Sequence, residues 1–242
     1  MEQFYNASMK IQGSVAIVTG ASGGIGLAIA RELGLRGAHV ALVARSVEKL
    51  NEIEKEIKGS LAVVADLREP SDVTYMVDET IKKIGRVDIL INNAGQGLRS
   101  SVEKLDIEDY KEVMELNVFS VVRAMQAVIP IMRKEGKGMI LNISSMVSKN
   151  YYPELAGYSS TKYALNAITL TARAELEEDG IIVSAFHPKM TATEFGQNAR
   201  GETYHSSGRR PGMGVDTAED VAKKVIEQIE SEEAEAAMAP LT

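Results

Sequence analysis

Short, almost uninterrupted apolar segments alternate with longer amphipathic segments along most of this 242-residue chain. The apolar segments at residues 15–18 and 38–43 are rich in valine and alanine, and the stretch between them repeats its apolar residues at helical spacing. Strands that are apolar on both faces are typical of parallel sheets covered by helices on each side. The pattern predicts an α/β fold, doubly wound around a parallel sheet of about seven strands, with ligands bound beyond the carboxyl ends of the strands.

The same pattern predicts the boundaries of the helices and strands. A long helix is expected over residues 107–133, with its last turns kinked or shortened by Pro130. Another helix carries Tyr158 and ends before Gly180, and Ser71 is the expected N-cap of a third helix. Further helices are predicted over 27–35, 47–57, 71–84 and 220–229, and strands over 15–18, 38–43, 61–65, 87–91, 139–144, 181–186 and 234–239.

Length and segment composition favour one domain. A chain of 242 residues can bury a sizeable core, and no linker or repeat divides it. Residues 1–12 are predicted to form a flexible N-terminal extension, followed by a single catalytic domain at 13–242. Residues 193–215 are polar and glycine-rich without periodicity, which predicts a lid over the substrate.

Composition excludes several kinds of protein. There is no cysteine, so disulfides and thiolate metal sites are excluded, and His39, His187 and His205 lack the spacing of metal ligands. A net charge of −7 argues against non-specific nucleic-acid binding. No apolar run reaches the length of a membrane span, and residues 1–12 do not resemble a signal peptide. We therefore expect a cytoplasmic protein with no metal, nucleic-acid or membrane partner.

A glycine-rich turn joins the first predicted strand to the first predicted helix. It reads Thr-Gly-x-x-x-Gly-x-Gly at residues 19–26. Glycines let the backbone approach a pyrophosphate at a helix N-terminus, where free N–H groups and the helix dipole favour anions. The spacing differs from the Gly-x-Gly-x-x-Gly fingerprint. A turn that serves packing alone is the alternative, but the strand-turn-helix context favours a dinucleotide site.

A phenol and an ammonium lie four residues apart at Tyr158 and Lys162. On a helix they share one face. Tyrosine, with an ordinary pKa of about 10, becomes a useful acid or base at neutral pH when a positive charge stabilises the phenolate. Ser144 and Ser145 end a predicted strand, and a serine there can hydrogen-bond a substrate oxygen. Taken alone, the Tyr-x-x-x-Lys pattern is more simply an exposed helical pair.

Together these motifs resemble the short-chain dehydrogenase/reductase family. The resemblance consists of the glycine turn, Asn-Asn-Ala-Gly at residues 92–95, and then Ser145, Tyr158 and Lys162 in that order, and it spans the chain from about Ile11 to near Ala237. Several ordered motifs are more specific than any one of them. The resemblance implies a Rossmann fold, a nicotinamide cofactor and interconversion of a carbonyl and an alcohol.

The resemblance also implies roles for individual residues. Tyr158 would be the general acid in reduction and the base in oxidation, Lys162 would lower its pKa and bind the nicotinamide ribose, and Ser145 would orient the substrate oxygen. Asn117 would hold a water in the proton relay to Lys162. This intact set speaks against a non-catalytic NADP-binding sensor or scaffold. The implied cofactor-binding residues are Gly20, Ser22, Gly24, Ile25, Gly26, Arg45, Asp66, Leu67, Asn93, Ala94, Gly95, Tyr158, Lys162, Pro188, Thr191 and Thr193.

The end of the second strand bears on the choice of cofactor. An acidic residue there would bind the ribose 2′-hydroxyl of NAD and repel the extra phosphate of NADP, but this chain has Ala44 followed by Arg45. A guanidinium can bind a phosphate through two hydrogen bonds. The sequence therefore predicts that NADP(H) is preferred over NAD(H), unless Arg45 simply points to solvent.

The substrate and partners are less constrained. Reductases of the family that act on 3-oxoacyl-(acyl carrier protein) tend to carry basic residues on either side of the catalytic helix, where this chain has Gly136 and Asp179. Negative charge repels an acidic carrier. We therefore expect a free ketone, aldehyde or secondary alcohol, with the carrier-dependent reductase as the alternative. The resemblance also implies a homodimer or homotetramer.

One position departs from the family pattern. After Pro188 the family usually has glycine, and this chain has Lys189. The lysine could project toward a substrate or a cofactor phosphate, or it could simply be exposed.

Overall fold

The computed structural model describes residues 9–201 and 214–238. The helices are α1 (Gly24–Leu35), α2 (Val47–Glu56), α3 (Pro70–Ile84), α4 (Ile107–Met114), α5 (Ser120–Glu135), α6 (Ala156–Glu175) and α7 (Ala218–Ser231). The strands are β1 (Val15–Thr19), β2 (His39–Ala44), β3 (Leu61–Val64), β4 (Ile89–Asn92), β5 (Leu98–Arg99), β6 (Gly138–Ile143), β7 (Ile181–His187), β8 (Arg200–Gly201) and β9 (Glu235–Ala237).

The main sheet has seven strands in the order β3-β2-β1-β4-β6-β7-β9. Every neighbouring pair is parallel, with Val18 of β1 opposite Leu42 of β2 on one side and Ile91 of β4 on the other. The chain moves outward from β1 to β3 and then returns to place β4 beside β1. The carboxyl ends of β1 and β4 are therefore the point where a doubly wound sheet binds its ligand. The predicted α/β fold is confirmed.

Helices cover both faces of the sheet. Val18 belongs to one buried hydrophobic cluster, which includes residues of α1, α2 and α7, whereas the adjacent Ile17 belongs to a second cluster, with residues of α3, α5 and α6. Successive side chains of a strand point to opposite faces, so each strand contributes to both cores. This explains why the strands are apolar almost throughout.

The start of α3 differs from the prediction. Its N-cap is Glu69, Pro70 lies in its first turn, and no side chain caps it, so the assignment of Ser71 as N-cap was wrong. Proline is favoured at the first helical position because its missing N–H would have no partner there.

The long predicted helix is divided into three parts. Between α4 and α5 the residues Glu115–Phe119 form a π-helical segment, which the sequence pattern did not reveal. Of the two predicted effects of Pro130, a kink or a shortened end, the shortening was wrong, because α5 continues to Glu135 and ends at Gly136 in a left-handed conformation. Pro130 and Gln126 both lie exposed, so water can reach the carbonyl that loses its partner.

Among the described residues, the stretch Ile107–Glu135 is long and apolar enough to cross a membrane by length and composition alone, a test that core helices of soluble proteins also pass. It contains an 18-residue window of which 44% is buried inside the fold. Its α5 portion packs against α3 and β6. This packing is typical of a core helix.

The ends of the described chain pack on the domain. In the predicted N-terminal extension, Ile11 is 5% exposed and the Met9 N–H donates to Glu232 Oε1 over 2.8 Å. Residues 1–8 of that extension, residues 202–213 of the predicted lid and the end of the predicted last strand lie outside the described residues.

Candidate active site

Thr19 and Asn93 join the carboxyl ends of β1 and β4. The Thr19 hydroxyl accepts hydrogen bonds from the backbone N–H of Asn93 (2.9 Å) and of Ala94 (3.0 Å), and it donates to the Ile91 carbonyl. The Asn93 amide donates in turn to the Thr19 carbonyl over 2.9 Å. These bonds bring Asn93 and Ala94, two residues that the resemblance implied for cofactor binding, to the glycine turn. The organising role of Thr19 was not predicted, although it opens the glycine motif.

Gly20 and Gly26 leave no space for a side chain in the glycine turn. A Cβ on Gly26 would lie 2.4 Å from both Asn93 Nδ2 and the Gly20 carbonyl oxygen, and Gly20 itself has φ +67°. Gly24 has φ +53°, and a Cβ there would lie 3.1 Å from Thr193 Cγ2. Thr193, from the segment after β7, therefore lies directly against the turn.

The N-terminus of α1 suits an anion. Its N-cap is Gly23, no side chain caps it, and its first turn contains no acidic residue. The first N–H groups and the positive end of the helix dipole are therefore available to a phosphate. Ser22 lies in the preceding turn and Ile25 in the first turn of α1. These features fit the pyrophosphate of a dinucleotide.

Arg45 and Asp66 lie together beyond the ends of β2 and β3. The side chain of Arg45 is 69% exposed, and its Nη1 is 3.9 Å from Asp66 Oδ2. Ala44 is buried, so no acidic group stands at the end of β2. Leu67 is 7% exposed and packs in the hydrophobic core beside α3. Arg45 is thus open to a ligand, whereas the side chain of Leu67 is not.

Tyr158 and Lys162 lie one turn apart on α6, as predicted. Lys162 is 5% exposed, its Nζ is 5.9 Å from the centre of the Tyr158 ring, and it donates to the Ile143 carbonyl over 2.9 Å. A Cβ on Gly95 would lie 3.8 Å from the same Nζ. The ammonium therefore sits between β6 and the predicted cofactor residues after β4.

Burial shifts the pKa values of both groups. It lowers the pKa of Lys162 to about 8 and raises that of Tyr158 to about 12, while a hydrogen bond with Ser145 lowers the Tyr158 pKa in part. The shift of Tyr158 is opposite to the lowering that the resemblance implied, because removing the phenolate from water outweighs the stabilising contacts. At neutral pH Tyr158 is therefore a protonated donor in this structure.

Ser145, rather than Ser144, faces Tyr158. Ser144 is 3% exposed, and its hydroxyl is turned inward to Asn166 Oδ1 at 2.6 Å. Ser145 begins a short 3-10 turn, and its hydroxyl accepts a hydrogen bond from the Val147 N–H over 3.3 Å. The Ser145 hydroxyl is therefore placed to contact an oxygen that Tyr158 also contacts.

Asn117 is buried in the π-helical segment and is 1% exposed. Its Oδ1 accepts from the Gln96 N–H (2.8 Å), and its Nδ2 donates to the Gln96 carbonyl (2.9 Å) and to Thr161 Oγ1 (3.1 Å). The side chain thereby fixes the backbone beside Gly95 and Lys162. The partners Gln96 and Thr161 were not predicted, and Thr161 could have been recognised as the polar residue that precedes Lys162 on a buried face.

The segment after β7 is tied to the start of α7. Pro188 is buried and its carbonyl accepts from the Met146 N–H over 2.9 Å, which links it to the Ser145 turn. Thr191 forms a β-bridge with Asp216, and the Thr191 hydroxyl donates to the Lys189 carbonyl. The Nζ of Lys189 is 3.2 Å from Asp216 Oδ1. Lys189 is therefore engaged with Asp216 in this structure.

The described part of the predicted lid lies over Tyr158. The rings of Phe195 and Tyr158 are 5.6 Å apart between centres and tilted by 55°. Beyond Phe195, β8 pairs with β5, and Arg200 Nη1 donates to Asp109 Oδ1 of α4 over 2.6 Å. Phe195 is 40% exposed and was not predicted as a site residue. Its ring contacts the ring of Tyr158.

Residues 14–204 match the family model for the short chain dehydrogenases. The chain belongs to this family. Short-chain dehydrogenases are oxidoreductases, and this one acts on CH–OH or C=O groups. The resemblance inferred from the sequence motifs is thus confirmed at the level of the family and of its reaction class.

Three relatives illustrate the range of similar proteins. A 3α-hydroxysteroid dehydrogenase from Mediterraneibacter gnavus is 36% identical over 193 residues, which cover 77% of each chain. A 3-ketoacyl-(acyl-carrier-protein) reductase from Brucella melitensis, complexed with NADH, has a TM-score of 0.86 and 27% identity, covering 94% of this chain and 97% of its own. An alcohol dehydrogenase from Thermococcus sibiricus, complexed with 5-hydroxy-NADP, has a TM-score of 0.80 and 28% identity, covering 94% and 95%.

Proposed function

We propose that this short-chain dehydrogenase transfers hydride between NADP(H) and a carbonyl or alcohol carbon of a free small molecule, with Tyr158 as general acid and base. The observation that carries the proposal is the placement of Tyr158 beside both Ser145 and Lys162. These groups lie near the carboxyl ends of the strands, as does the uncapped N-terminus of α1. A proton donor, a hydroxyl for the substrate oxygen and a cofactor site thus meet at one edge of the sheet.

The side chains have distinct tasks in the proposed reaction. A bound nicotinamide cofactor supplies the hydride for reduction or accepts it in oxidation. Tyr158, protonated because burial raises its pKa to about 12, donates its proton to the carbonyl oxygen. The Ser145 hydroxyl orients that oxygen, and the Lys162 ammonium, held by the Ile143 carbonyl, stabilises the phenolate that Tyr158 becomes. Oxidation needs the phenolate first, so it is favoured at higher pH.

The preference for NADP(H) is supported by Arg45. Its guanidinium is mostly exposed, its acidic partner Asp66 is 3.9 Å away, and the last residue of β2 is the buried Ala44 rather than an acidic residue. Lys49, in the first turn of α2, adds a second exposed positive charge, 3.9 Å from the exposed carboxylate of Glu194. The comparison structures include one protein with NADH and one with 5-hydroxy-NADP, so family membership alone does not choose between the cofactors.

A free small molecule is the proposed substrate. The likeness to a 3α-hydroxysteroid dehydrogenase supports a secondary alcohol or ketone. The argument from charge is weaker than the sequence indicated, because Arg133 Nη2 donates to Asp179 Oδ2 over 2.7 Å and offsets the negative charge that would repel an acyl carrier. Since a carrier-dependent reductase is also similar, that substrate remains the second candidate. Turnover of a 3-oxoacyl group on the carrier protein, but not of small ketones, would favour it.

Quaternary structure and location complete the proposal. A groove of about 430 Å³ runs between α5 and α6, lined by apolar side chains that include Val122, Ile129 and Ile168. We propose that a second copy of the chain packs against the face that contains this groove, giving a homodimer or homotetramer. A cytoplasmic location is consistent with a sequence that contains no cysteine.

The first test is to separate cofactor binding from proton transfer with Tyr158→Phe. The variant should bind NADPH as tightly as the wild type, measured by nucleotide fluorescence, because the ring and its packing remain. Its kcat in an NADPH-consumption screen of ketones and aldehydes should fall by at least about 100-fold, as expected for loss of a positioned acid.

Two outcomes would contradict the proposal. Wild-type protein that binds NADPH but turns over no substrate would indicate a sensor or scaffold. A Tyr158→Phe variant with wild-type kcat would assign the proton to another group.

A further inference from the structure

His187 forms a buried connection between the last strand and the Ser145 turn. It ends β7, its side chain is 0% exposed, and its Nε2 lies 2.9 Å from Oε1 of Glu235, the first residue of β9. On the other side of the ring, Nδ1 is 3.4 Å from the Ser145 carbonyl oxygen and 3.4 Å from Ser148 Oγ. The imidazole thus spans the space between Glu235 and the backbone of Ser145.

Lys149 reaches the same carboxylate oxygen from the far end of the turn. Its Nζ donates to Glu235 Oε1 over 2.6 Å, and both side chains are only 24% exposed. Oε1 of Glu235 therefore contacts both the His187 imidazole and the ammonium of Lys149, the residue that ends the turn. Charge-assisted hydrogen bonds of this kind are stronger than neutral ones.

Hydrogen bonds within the turn also stabilise it. The Ser145 carbonyl accepts from the Ser148 hydroxyl (2.6 Å) and from the Ser148 N–H (3.0 Å). Ser148 receives a further bond from Asn166 Nδ2 over 2.8 Å. All of these contacts act on the backbone side of Ser145. They leave its hydroxyl to face Tyr158.

The protonation of the network follows from its contacts. Burial lowers the pKa of His187 despite its hydrogen bond with Glu235. Burial acts to raise the pKa of Glu235, but the hydrogen bonds from Lys149 and His187 bring it below its ordinary value. At neutral pH an ionised Glu235 therefore faces a neutral imidazole. The hydrogen bond to the carboxylate assigns the ring proton to Nε2, so Nδ1 is an acceptor and its 3.4 Å approach to the Ser145 carbonyl oxygen is a packing contact.

We propose that Glu235 is a positioning residue for Ser145, acting through His187 and Lys149. The catalytic consequence rests on the proposed function, whereas the mechanical link does not. Glu235 holds the Lys149 end of the 145–149 turn by a direct hydrogen bond and orients the His187 ring against which the Ser145 end packs, and this fixes the direction of the Ser145 hydroxyl toward the substrate oxygen. A small displacement of such a group reduces the rate steeply.

The mechanical link is tested by amide hydrogen exchange, which needs no substrate. Glu235→Ala should raise exchange at Ser148 by at least about tenfold, as expected when a charge-assisted hydrogen bond is lost. Exchange at Leu141 in β6 should not change. Glu233→Ala removes the same charge from an exposed residue in the same segment and should leave both amides as in the wild type. Unchanged exchange at Ser148 in Glu235→Ala would overturn the proposal.

Two more variants guard against a folding defect. Glu235→Gln keeps an oxygen acceptor and should raise exchange less than Glu235→Ala does. If Glu235→Ala does not fold, Lys149→Met removes the direct attachment of the turn from a partly exposed site and should also raise exchange at Ser148. Wild-type protection in Lys149→Met and in Glu235→Gln would then overturn the proposal.

The catalytic consequence is tested with Ser145→Ala as a second background. Glu235→Ala should lower kcat about tenfold with little change in the KM for NADPH, and Glu235→Gln should recover most of the loss. In the Ser145→Ala background, Glu235→Ala should cause no further loss. An equal loss in both backgrounds, or exchange that rises while kcat does not change, would overturn the positioning role. If the wild type turns over no substrate, the proposed function fails, and the exchange result alone decides whether Glu235 holds the turn.

Discussion

Lys162 is a cation in a buried place. Its ammonium is 5% exposed, with the Ile143 carbonyl as a hydrogen-bond acceptor, and burial lowers its pKa from 10.5 to about 8. The charged form is therefore destabilised by folding. Buried charged residues that lower the stability of the fold are common at sites where function, rather than stability, constrains the side chain.

Replacing this charge should stabilise the protein while removing activity. At pH 7 we expect Lys162→Met to gain roughly 1 kcal/mol in free energy of unfolding, because removal of the desolvation cost outweighs the lost bond to Ile143. Between pH 8 and about 10 the wild type should gain stability as pH rises, since the unfolded state binds more protons there. Above about pH 10 the raised pKa of Tyr158 acts in the opposite direction.

Denaturant unfolding across this pH range measures the effect. Lys224→Met, at an exposed position on α7, is the matched control and should leave the pH dependence unchanged. A Lys162→Met variant less stable than the wild type at pH 7 would contradict the prediction, because it would show that the contacts of the ammonium outweigh its desolvation cost.

Arg45 is the second residue whose role can be isolated. Arg45→Asp should weaken NADPH binding at least tenfold, because an acidic group would face the 2′-phosphate, while NADH binding stays equal or improves. Fluorescence titration with both nucleotides measures the ratio. Arg36→Asp, a control with the same charge reversal just after α1, should not alter the ratio of NADPH affinity to NADH affinity. Equal weakening of NADPH and NADH by Arg45→Asp would argue against a phosphate contact.

At the scale of elements, the turn between β1 and α1 depends on close backbone packing. The N-terminus of α1 approaches Gly20 and Asn93 so closely that only glycine fits at Gly26. By contrast, nothing lies within 4 Å of a Cβ on Gly23, whose φ of 176° is ordinary extended backbone. Two glycines of the same motif therefore carry different constraints.

This contrast can be measured with two alanine variants. Gly26→Ala should lose about 1–3 kcal/mol of unfolding free energy, the usual range for overpacking, and should bind NADPH more weakly because the turn must shift. Gly23→Ala should stay within about 0.5 kcal/mol of the wild type. Thermal unfolding and nucleotide titration provide the two readouts. Equal stability of the two variants would contradict the packing argument.

The groove between α5 and α6 matters at the scale of the whole molecule. Ala167 lies exposed among its lining residues, so an arginine there can be accommodated by the isolated chain but would obstruct a second copy. Ala167→Arg should shift the protein to a lower oligomeric state in light scattering coupled to gel filtration. Leu35→Arg, at an exposed position at the end of α1, should have no effect. A wild type that is monomeric at all concentrations would contradict the proposed assembly.

The architecture was largely predictable because its signals are local. The central strands are mostly apolar and the helices repeat apolar residues every three or four positions, so the sequence predicted the parallel sheet and its helical layers. The order of motifs, from the glycine turn to Tyr158 and Lys162, indicated the family and the reaction class. Such patterns involve residues that lie close together in the sequence, so they can be recognised without knowledge of the tertiary contacts.

Other features depended on contacts between distant parts of the chain. The bond from Lys149 to Glu235 joins residues 86 positions apart, and the network around His187 depends on β9 lying beside β7. The pairing of Lys189 with Asp216 and the raised pKa of Tyr158 likewise arise from packing. Sequence determined the fold, the motifs and the chemistry available. Tertiary structure alone decided which groups are buried, what each one contacts and in which direction its pKa moves, because burial and electrostatic interactions depend on distances in space.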